Sequence, residues 1–309
     1  MKLSEYYDKW ITTYKKNNVR SVTYQKYLMT GKSLKEIEPD CDISKIDRGI
    51  YQKIVNKYAE AHEHLTVMDF HRQIRASVLD AADEGIIERD FTRRVQIGGK
   101  PKTRKLKKFL EEDEAKIFIA DLNINTKELN WDHFLLLLIN TGLRYAEALA
   151  LTPSDFDFIS RTIDVNKSYD YKSKTKTNRF QPTKNVSSNR IISLDLKTAW
   201  ILRPLIEKLN PTEPIFPYWY GGGHVIIYNS TINDIIARHC NNVGINKITV
   251  HGLRHTHASL LIAKKVSIQA VAKRLGHANT ITTQSTYIHP LKAAMKEADE
   301  KIESILVNM

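Results

Sequence analysis

Five short stretches between residues 141 and 287 carry side chains able to hold an anion, move a proton or attack an electrophile. In Thr141-Gly-Leu-Arg-Tyr-Ala-Glu147 an arginine, Arg144, follows a glycine break, and a carboxylate stands one helical turn later. Lys184 sits in Pro182-Thr-Lys-Asn-Val-Ser-Ser-Asn-Arg190, ahead of a turn-rich run that leads into a strand pattern. His251-Gly-Leu-Arg254-His-Thr-His257 puts an imidazole and a guanidinium one turn apart on the same helix face. Leu275-Gly-His277 and then Tyr287 complete the set. Taken singly, each has a plain structural reading: an ordinary i, i+3 ion pair, an exposed hairpin lysine, one tyrosine among fourteen. Taken together they offer two planar forks for an oxyanion, imidazoles and an ammonium for proton transfer and a phenol as nucleophile.

Two other patterns do not hold. Thr30-Gly31-Lys32-Ser33 looks like the end of a phosphate-binding loop, but Lys26 stands where the first glycine belongs. His251, His255 and His257 are close in sequence, yet HExxH is absent and Arg254 in the same turn would repel a cation. Neither a metal nor a cofactor is expected.

Helical spacing marks the elements that must position these groups. Ser4 can cap a helix carrying Tyr7, Trp10, Ile11 and Tyr14. Further helices follow around Tyr24 to Leu28, from Asp47 through Ile50, Ile54 and Tyr58, and from about Val67 to Gly85. Residues 1–92 thus read as a small helical bundle. Half of residues 93–108 are basic and none is acidic: Arg93, Arg94, Lys100, Lys102, Arg104, Lys105, Lys107 and Lys108. With Gly98-Gly99 and Pro101 among them, the segment reads as an interdomain linker able to lie along phosphates. Helices then resume at 112–121 and 131–141 and lead into Arg144. Alternation at Phe156, Phe158, Ile163 and Val165, and later at Ile191 and Leu194, predicts a small sheet. The polar, basic Lys172–Asn189 segment between them predicts a hairpin loop, and helical patterns follow Gly221-Gly222-Gly223.

In order and spacing the motifs Gly-Leu-Arg-x-x-Glu, the hairpin lysine, His-x-x-Arg-His, Leu-Gly-His and Tyr-x-His resemble the tyrosine recombinase, or phage integrase, family over about residues 109 to 290. The family's two arginines, lysine, two histidine positions and nucleophile fall on Arg144, Arg254, Lys184, His251, His277 and Tyr287. The resemblance implies a mainly α fold with a small antiparallel β-sheet: a helical core-binding domain at 1–92 and an α+β catalytic domain at 109–290. It implies attack by Tyr287 on a DNA phosphate to give a 3′-phosphotyrosine and a free 5′-hydroxyl. Arg144 and Arg254 would grip the non-bridging oxygens, and Lys184 would protonate the leaving oxygen. His251 would bond the phosphate or take the tyrosine proton, and His277 would bond the phosphate. Glu147 and His255 are expected behind these groups, with His289 as structural support.

The composition fits a polyanionic partner. Lysine and arginine total 47 against 35 acids, a formal net charge of +12. The longest apolar run, Phe134 to Ile139, is too short to span a bilayer, and the charged N-terminal stretch is not expected to act as a signal peptide. Cys41 and Cys240 are far apart and are expected to be reduced thiols in a cytoplasmic protein. The expected partners are double-stranded DNA at a recombination site, further copies of the chain as a tetramer on paired sites, and DNA-bending or directionality proteins. Weak candidates for reading bases are Ser21, Thr23, Lys172, Lys174 and Lys176. The apolar stripe Leu291, Ala294, Met295, Ala298, Ile302, Ile305 and Leu306 predicts a final helix, 291–309, docking on a neighbour. The expected activity is integration or excision of a phage or mobile element. Its alternatives are chromosome-dimer resolution, a type IB topoisomerase and a catalytically silent DNA-binding protein.

Overall fold

Tyr7, Trp10 and Ile11 share one face of helix α1 (Leu3–Tyr14) and are all buried, as their spacing of three and four requires. They pack with Leu34 of α2 (Ser21–Ile37), Tyr51 and Ile54 of α3 (Arg48–Ala59), and Phe70, Ile74 and Val78 of α4 (His64–Asp83). Asp47 caps α3, its carboxylate accepting from the Ile50 N–H at 2.7 Å. Ser4 does not cap α1. It is buried in the first turn, and Glu5 reaches back to the Lys2 N–H instead. The structure is a computed structural model that describes residues 1–101, 108–171, 180–216, 219–220, 223–224 and 228–286. It divides into two units, Met1–Lys105 and Leu106–Met309.

Within the basic stretch expected to be an interdomain linker, Val95 and Ile97 pack against the first unit's core. Gln96 exchanges hydrogen bonds with Gln52, its N–H donating at 2.8 Å and its carbonyl accepting at 2.9 Å. The Lys100 N–H donates to the His62 carbonyl at 2.8 Å. Alternating small apolar residues thus hold part of the stretch down while Arg93, Arg94 and Lys100 stay exposed.

The second unit is built round α6 (Trp131–Thr141), whose residues Phe134 to Ile139 are all buried. The run too short for a membrane is a central core helix, and no helix among the described residues is long and apolar enough to cross one. Around it lie α5 (Glu112–Ala120), α7 (Tyr145–Leu149), α8 (Leu196–Ile206), α9 (Asn229–Asn242), α10 (Val250–Ala263), α11 (Ile268–Leu275) and α12 (Thr280–Thr286). An antiparallel sheet runs in the order β1 (Phe156–Asp157), β2 (Thr162–Val165), β5 (Arg190–Ser193), with Ile163 opposite Ile192. A separate hairpin pairs β3 (Lys167–Tyr169) with β4 (Phe180–Pro182), and β6 (Trp219–Tyr220) pairs with β7 (Gly223–His224). Of the two residues whose pattern marked this strand, Ile191 is 71% exposed and Leu194 is buried, as is Ile192. The period of two runs through 192 and 194, so Ile191 falls on the other face. The fold is mainly α with small antiparallel sheets, as expected.

Candidate functional site

Two helices end on left-handed glycines: Gly142 closes α6 and Gly276 closes α11, each at φ 68°. The last carbonyls of a helix lack intrahelical partners and form the negative end of its dipole. Four guanidiniums take them up: Arg274 reaches the Asn140 carbonyl at 3.2 Å, and three others gather nearer the two breaks. Arg254, in the first half of α10 and 3% exposed, donates to the Gly142 carbonyl at 2.6 Å and the Leu275 carbonyl at 2.7 Å. Arg144, directly after the α6 break, donates to the Gly276 carbonyl at 2.8 Å. Arg190, at the start of β5, donates to the Arg274 carbonyl at 2.6 Å. The glycines are obligatory beyond their φ. A Cβ on Gly142 would stand 2.7 Å from the His257 ring, and one on Gly276 would stand 2.9 Å from an Arg190 nitrogen.

Glu147, 2% exposed, anchors Arg144 one turn along α7. Its Oε1 accepts from Arg144 Nη1 at 2.5 Å, and its Oε2 accepts from the Arg144 N–H and from Arg190 Nη2, both at 3.0 Å. Burial pushes this carboxyl upward, but Arg190 and Arg144 outweigh it and hold Glu147 below the usual carboxylate range. The spacing foresaw the Arg144 pair. The second arginine was not foreseen.

The two expected histidines feel the same charges. His277 sits just past the α11 cap, its Nδ1 2.7 Å from the Thr283 hydroxyl. Burial, then the charges of Arg254, Arg144 and Arg190, pull it down to about 4. His251, at the open edge of the first turn of α10, is lowered by loss of water on its inner side and then by Arg254 and Arg144. His255 packs edge-on against it, ring centroids 4.6 Å apart, and is lowered to about 4 by burial and by His251. Both His251 and His277 are therefore neutral near pH 7. His257, the third histidine of that run, points elsewhere: its Nδ1 meets the Ile139 carbonyl at 2.9 Å and its Nε2 meets Arg274 Nε at 2.8 Å.

Arg144, His251, Arg254 and His277 are thus gathered at one place, with Glu147 behind Arg144 and His255 beside His251. Lys184 is exposed in the turn after β4. It stands four residues before Ser188, whose hydroxyl accepts from Arg144 Nη1 at 3.0 Å. Tyr287 and His289 lie outside the described residues, directly after α12. Lys102, Arg104, Lys105, Lys107, Lys172, Lys174, Lys176 and the 291–309 stripe also lie outside them. Lys108 is exposed at the start of the second unit's described part, and Ser21 and Thr23 are exposed on α2. Sequence reading missed Ser188, Arg190, Arg274 and Thr283. The available signal was Ser188-x-Arg190, an arginine placed where a strand enters the core.

The phage integrase family model matches residues 108–294, which span the whole of this site. The chain belongs to the phage integrase family. Among its relatives, the integrase of Staphylococcus phage L54a is 27% identical over 67% of this chain and 65% of that protein. The ICEBs1 integrase of Bacillus subtilis (strain 168) is 31% identical over 67% of this chain and 57% of the relative. The matched part is under two thirds of the length of each. In fold, the Tn1549 transposon integrase in complex with transposon right end DNA superposes with a TM-score of 0.79 at 17% identity, covering 98% of this chain and all of that one. A lambda integrase dimer bound to a COC′ core site gives 0.65 at 17% identity, over 93% and 95% of the two chains.

Proposed function

We propose that this protein is a site-specific DNA recombinase of a phage or mobile element that cuts and rejoins strands through Tyr287. The observation that carries the reading is the convergence of Arg144, Arg254, His251 and His277 in a member of the phage integrase family. Keeping the energy of a phosphodiester for rejoining requires a protein nucleophile, since hydrolysis would discard it. The Tyr287 phenolic oxygen attacks the scissile phosphorus and forms a phosphotyrosine at the 3′ side. The bond from phosphorus to the 5′-oxygen breaks, and the leaving oxygen takes a proton from Lys184. The phenol, with an ordinary pKa of about 10, gives its proton up during attack, and the neutral His251 would receive it. Arg144 and Arg254 carry the charge that builds on the non-bridging oxygens. If the Thr283 hydroxyl donates to His277 Nδ1, the ring hydrogen sits on Nε2 and donates to the phosphate.

In this reading the partner is double-stranded DNA, and the exposed Arg93, Arg94, Lys100 and Lys108 add phosphate contacts whose strength falls with salt. The basic residues 102–107 and Lys172, Lys174 and Lys176 would extend that contact. Assembly on paired sites would use the 291–309 stripe docked on a neighbouring copy, with DNA-bending or directionality proteins as further partners in the cytoplasm of the host cell.

A library of nicked duplexes with randomised arms tests this, because a nick beside the cut traps the covalent product. The wild-type protein is expected to form a denaturant-resistant adduct on an enriched sequence, and Tyr287→Phe none. No Tyr287-dependent adduct on any sequence refutes the strand-cleavage reading and leaves DNA binding alone. Adducts without sequence enrichment, together with relaxation of supercoiled plasmid, favour a type IB topoisomerase instead.

A further inference from the structure

Arg190 is a buried cation that the proposed reaction does not use directly, and its burial requires an explanation. Its side chain is 5% exposed, and a guanidinium so far from water is costly unless each face is matched. All three of its nitrogens donate to the protein. Nε meets the Arg274 carbonyl at 2.6 Å, Nη1 the Ser188 carbonyl at 2.7 Å, and Nη2 Glu147 Oε2 at 3.0 Å. These acceptors come from three separate stretches of chain. Glu147 belongs to α7, at whose start Arg144 stands. Ser188 belongs to the turn that carries Lys184, and Arg274 is three residues before His277.

Arg190 also shares its partners with Arg144. Ser188 offers its carbonyl to Arg190 and its hydroxyl to Arg144. Glu147 gives one oxygen to each guanidinium. With Arg190 gone, the whole carboxylate charge would fall on Arg144, the more exposed of the two, at 24% against 5%. Arg144, already paired with one carboxylate oxygen, would then turn its fork toward both and be more fully neutralised. Lysine could not stand in, because a point charge on a flexible stem cannot meet three acceptors in one plane.

We propose that Arg190 is a positioning residue for strand cleavage: it takes up half of Glu147 and pins the three stretches together, leaving the Arg144 charge and direction to the phosphate. The inference rests on the strand-cleavage reading above. Arg190 is counted also among the charges that keep His277 neutral, which fits the same placement.

The test compares single-turnover adduct formation by wild type, Arg190→Met, Arg190→Lys and the double variant Arg190→Met with Glu147→Gln. All are run on the nicked duplex enriched by the wild-type protein. Thermal melting and affinity for the intact duplex accompany each rate. Arg190→Met is expected to form adduct about a hundredfold more slowly, the scale of losing one oriented oxyanion donor, with binding of intact duplex within about threefold. Arg190→Lys is expected to be similarly slow although its charge is kept. The double variant is expected to regain about tenfold over Arg190→Met, because no carboxylate remains to draw Arg144 away. A residue needed only for folding would give the opposite, since the double variant removes a further buried bond. A rate for Arg190→Met within about threefold of wild type overturns the proposal, as does a double variant no faster than the single one. Where Arg190→Met melts below the assay temperature, Arg190→Lys decides: a wild-type rate overturns the proposal and a slow rate in a folded protein supports it. Absence of any Tyr287-dependent adduct from the wild-type protein is a different failure, which removes the strand-cleavage reading itself.

Discussion

His257 should make the second unit lose stability in acid, by an amount that its surroundings fix. The ring is 7% exposed, and its two nitrogens face opposite demands. Nδ1 must donate to the Ile139 carbonyl, and Nε2 must accept from Arg274 Nε, which always carries its hydrogen. Protonation would set two N–H groups against each other beside a guanidinium. Burial first, and then Arg274, push His257 from 6.5 down to about 3. Between those two values the unfolded chain binds a proton that the folded chain refuses, so stability rises with pH across this window. The contribution is complete above pH 6.5, falls as pH drops below it, and is fully lost near pH 3. The loss for this one site is about 2 kcal/mol at pH 5 and approaches about 5 kcal/mol at the acid end. His277 and His255, both lowered to about 4, act in the same sense, so the informative quantity is a difference between proteins. Urea unfolding of the full chain, read from amide exchange in α6 and α10, should show a smaller pH 7 to pH 5 loss in His257→Asn than in wild type. The gap should be about 2 kcal/mol. The same loss in both proteins would refute the assignment of that proton to His257.

Other substitutions follow from the same packing. Gly276→Ala forces an alanine to φ 68° with its Cβ 2.9 Å from Arg190 and 3.0 Å from the Ser188 Cα, so it should cost about 2 kcal/mol in unfolding free energy and slow adduct formation more than duplex binding. His239 lies between Asp121 and Asp132, at 2.7 and 3.0 Å. His239→Leu leaves two carboxylates facing a buried gap and should cost about 3 kcal/mol by denaturant unfolding, with Asp132→Asn restoring part of it in the double variant. In the first unit, Trp10→Phe removes the indole N–H that Asp80 accepts at 2.5 Å. It should lower the stability of that unit by about 1 to 2 kcal/mol while leaving amide exchange in α10 unchanged.

What could be read in the sequence was whatever has a local cause. Tyr7, Trp10 and Ile11 declare a helix face by spacing alone, and Arg144 with Glu147 declare an ion pair one turn apart. Arg190 declares nothing of the kind, because its partners Glu147 and Arg274 lie 43 and 84 residues away. His257 drew notice only as a possible ligand beside His251, yet its bonds run to Ile139, 118 residues earlier, and to Arg274. Burial at such positions depends on which helix end comes to rest there. The same limit applies to Val95 and Ile97, two apolar residues in a basic stretch that pack on a core built from residues earlier in the chain.

The glycines of Gly-Leu-Arg and Leu-Gly-His were legible as motif letters, and the structure supplies their physical reason. Each ends a helix in the left-handed region and turns unpaired carbonyls outward, and those carbonyls receive Arg254, Arg144 and Arg190. A carbonyl orients a guanidinium by a directional hydrogen bond, weaker than a carboxylate's, and it brings only a dipole and cancels no formal charge. Glu147 is the carboxylate that pairs with Arg144 and Arg190, and the carbonyls that hold all three arginines add no formal negative charge. In the proposed reaction the phosphate goes from singly to doubly negative at the pentavalent transition state, and guanidiniums held by carbonyls keep their charge to meet it. Carboxylates in place of the carbonyls would hold the arginines more tightly but consume the charge that the phosphate needs. Helix ends can fix the forks and leave their charge intact, which is why these motifs place a glycine beside an arginine and a histidine.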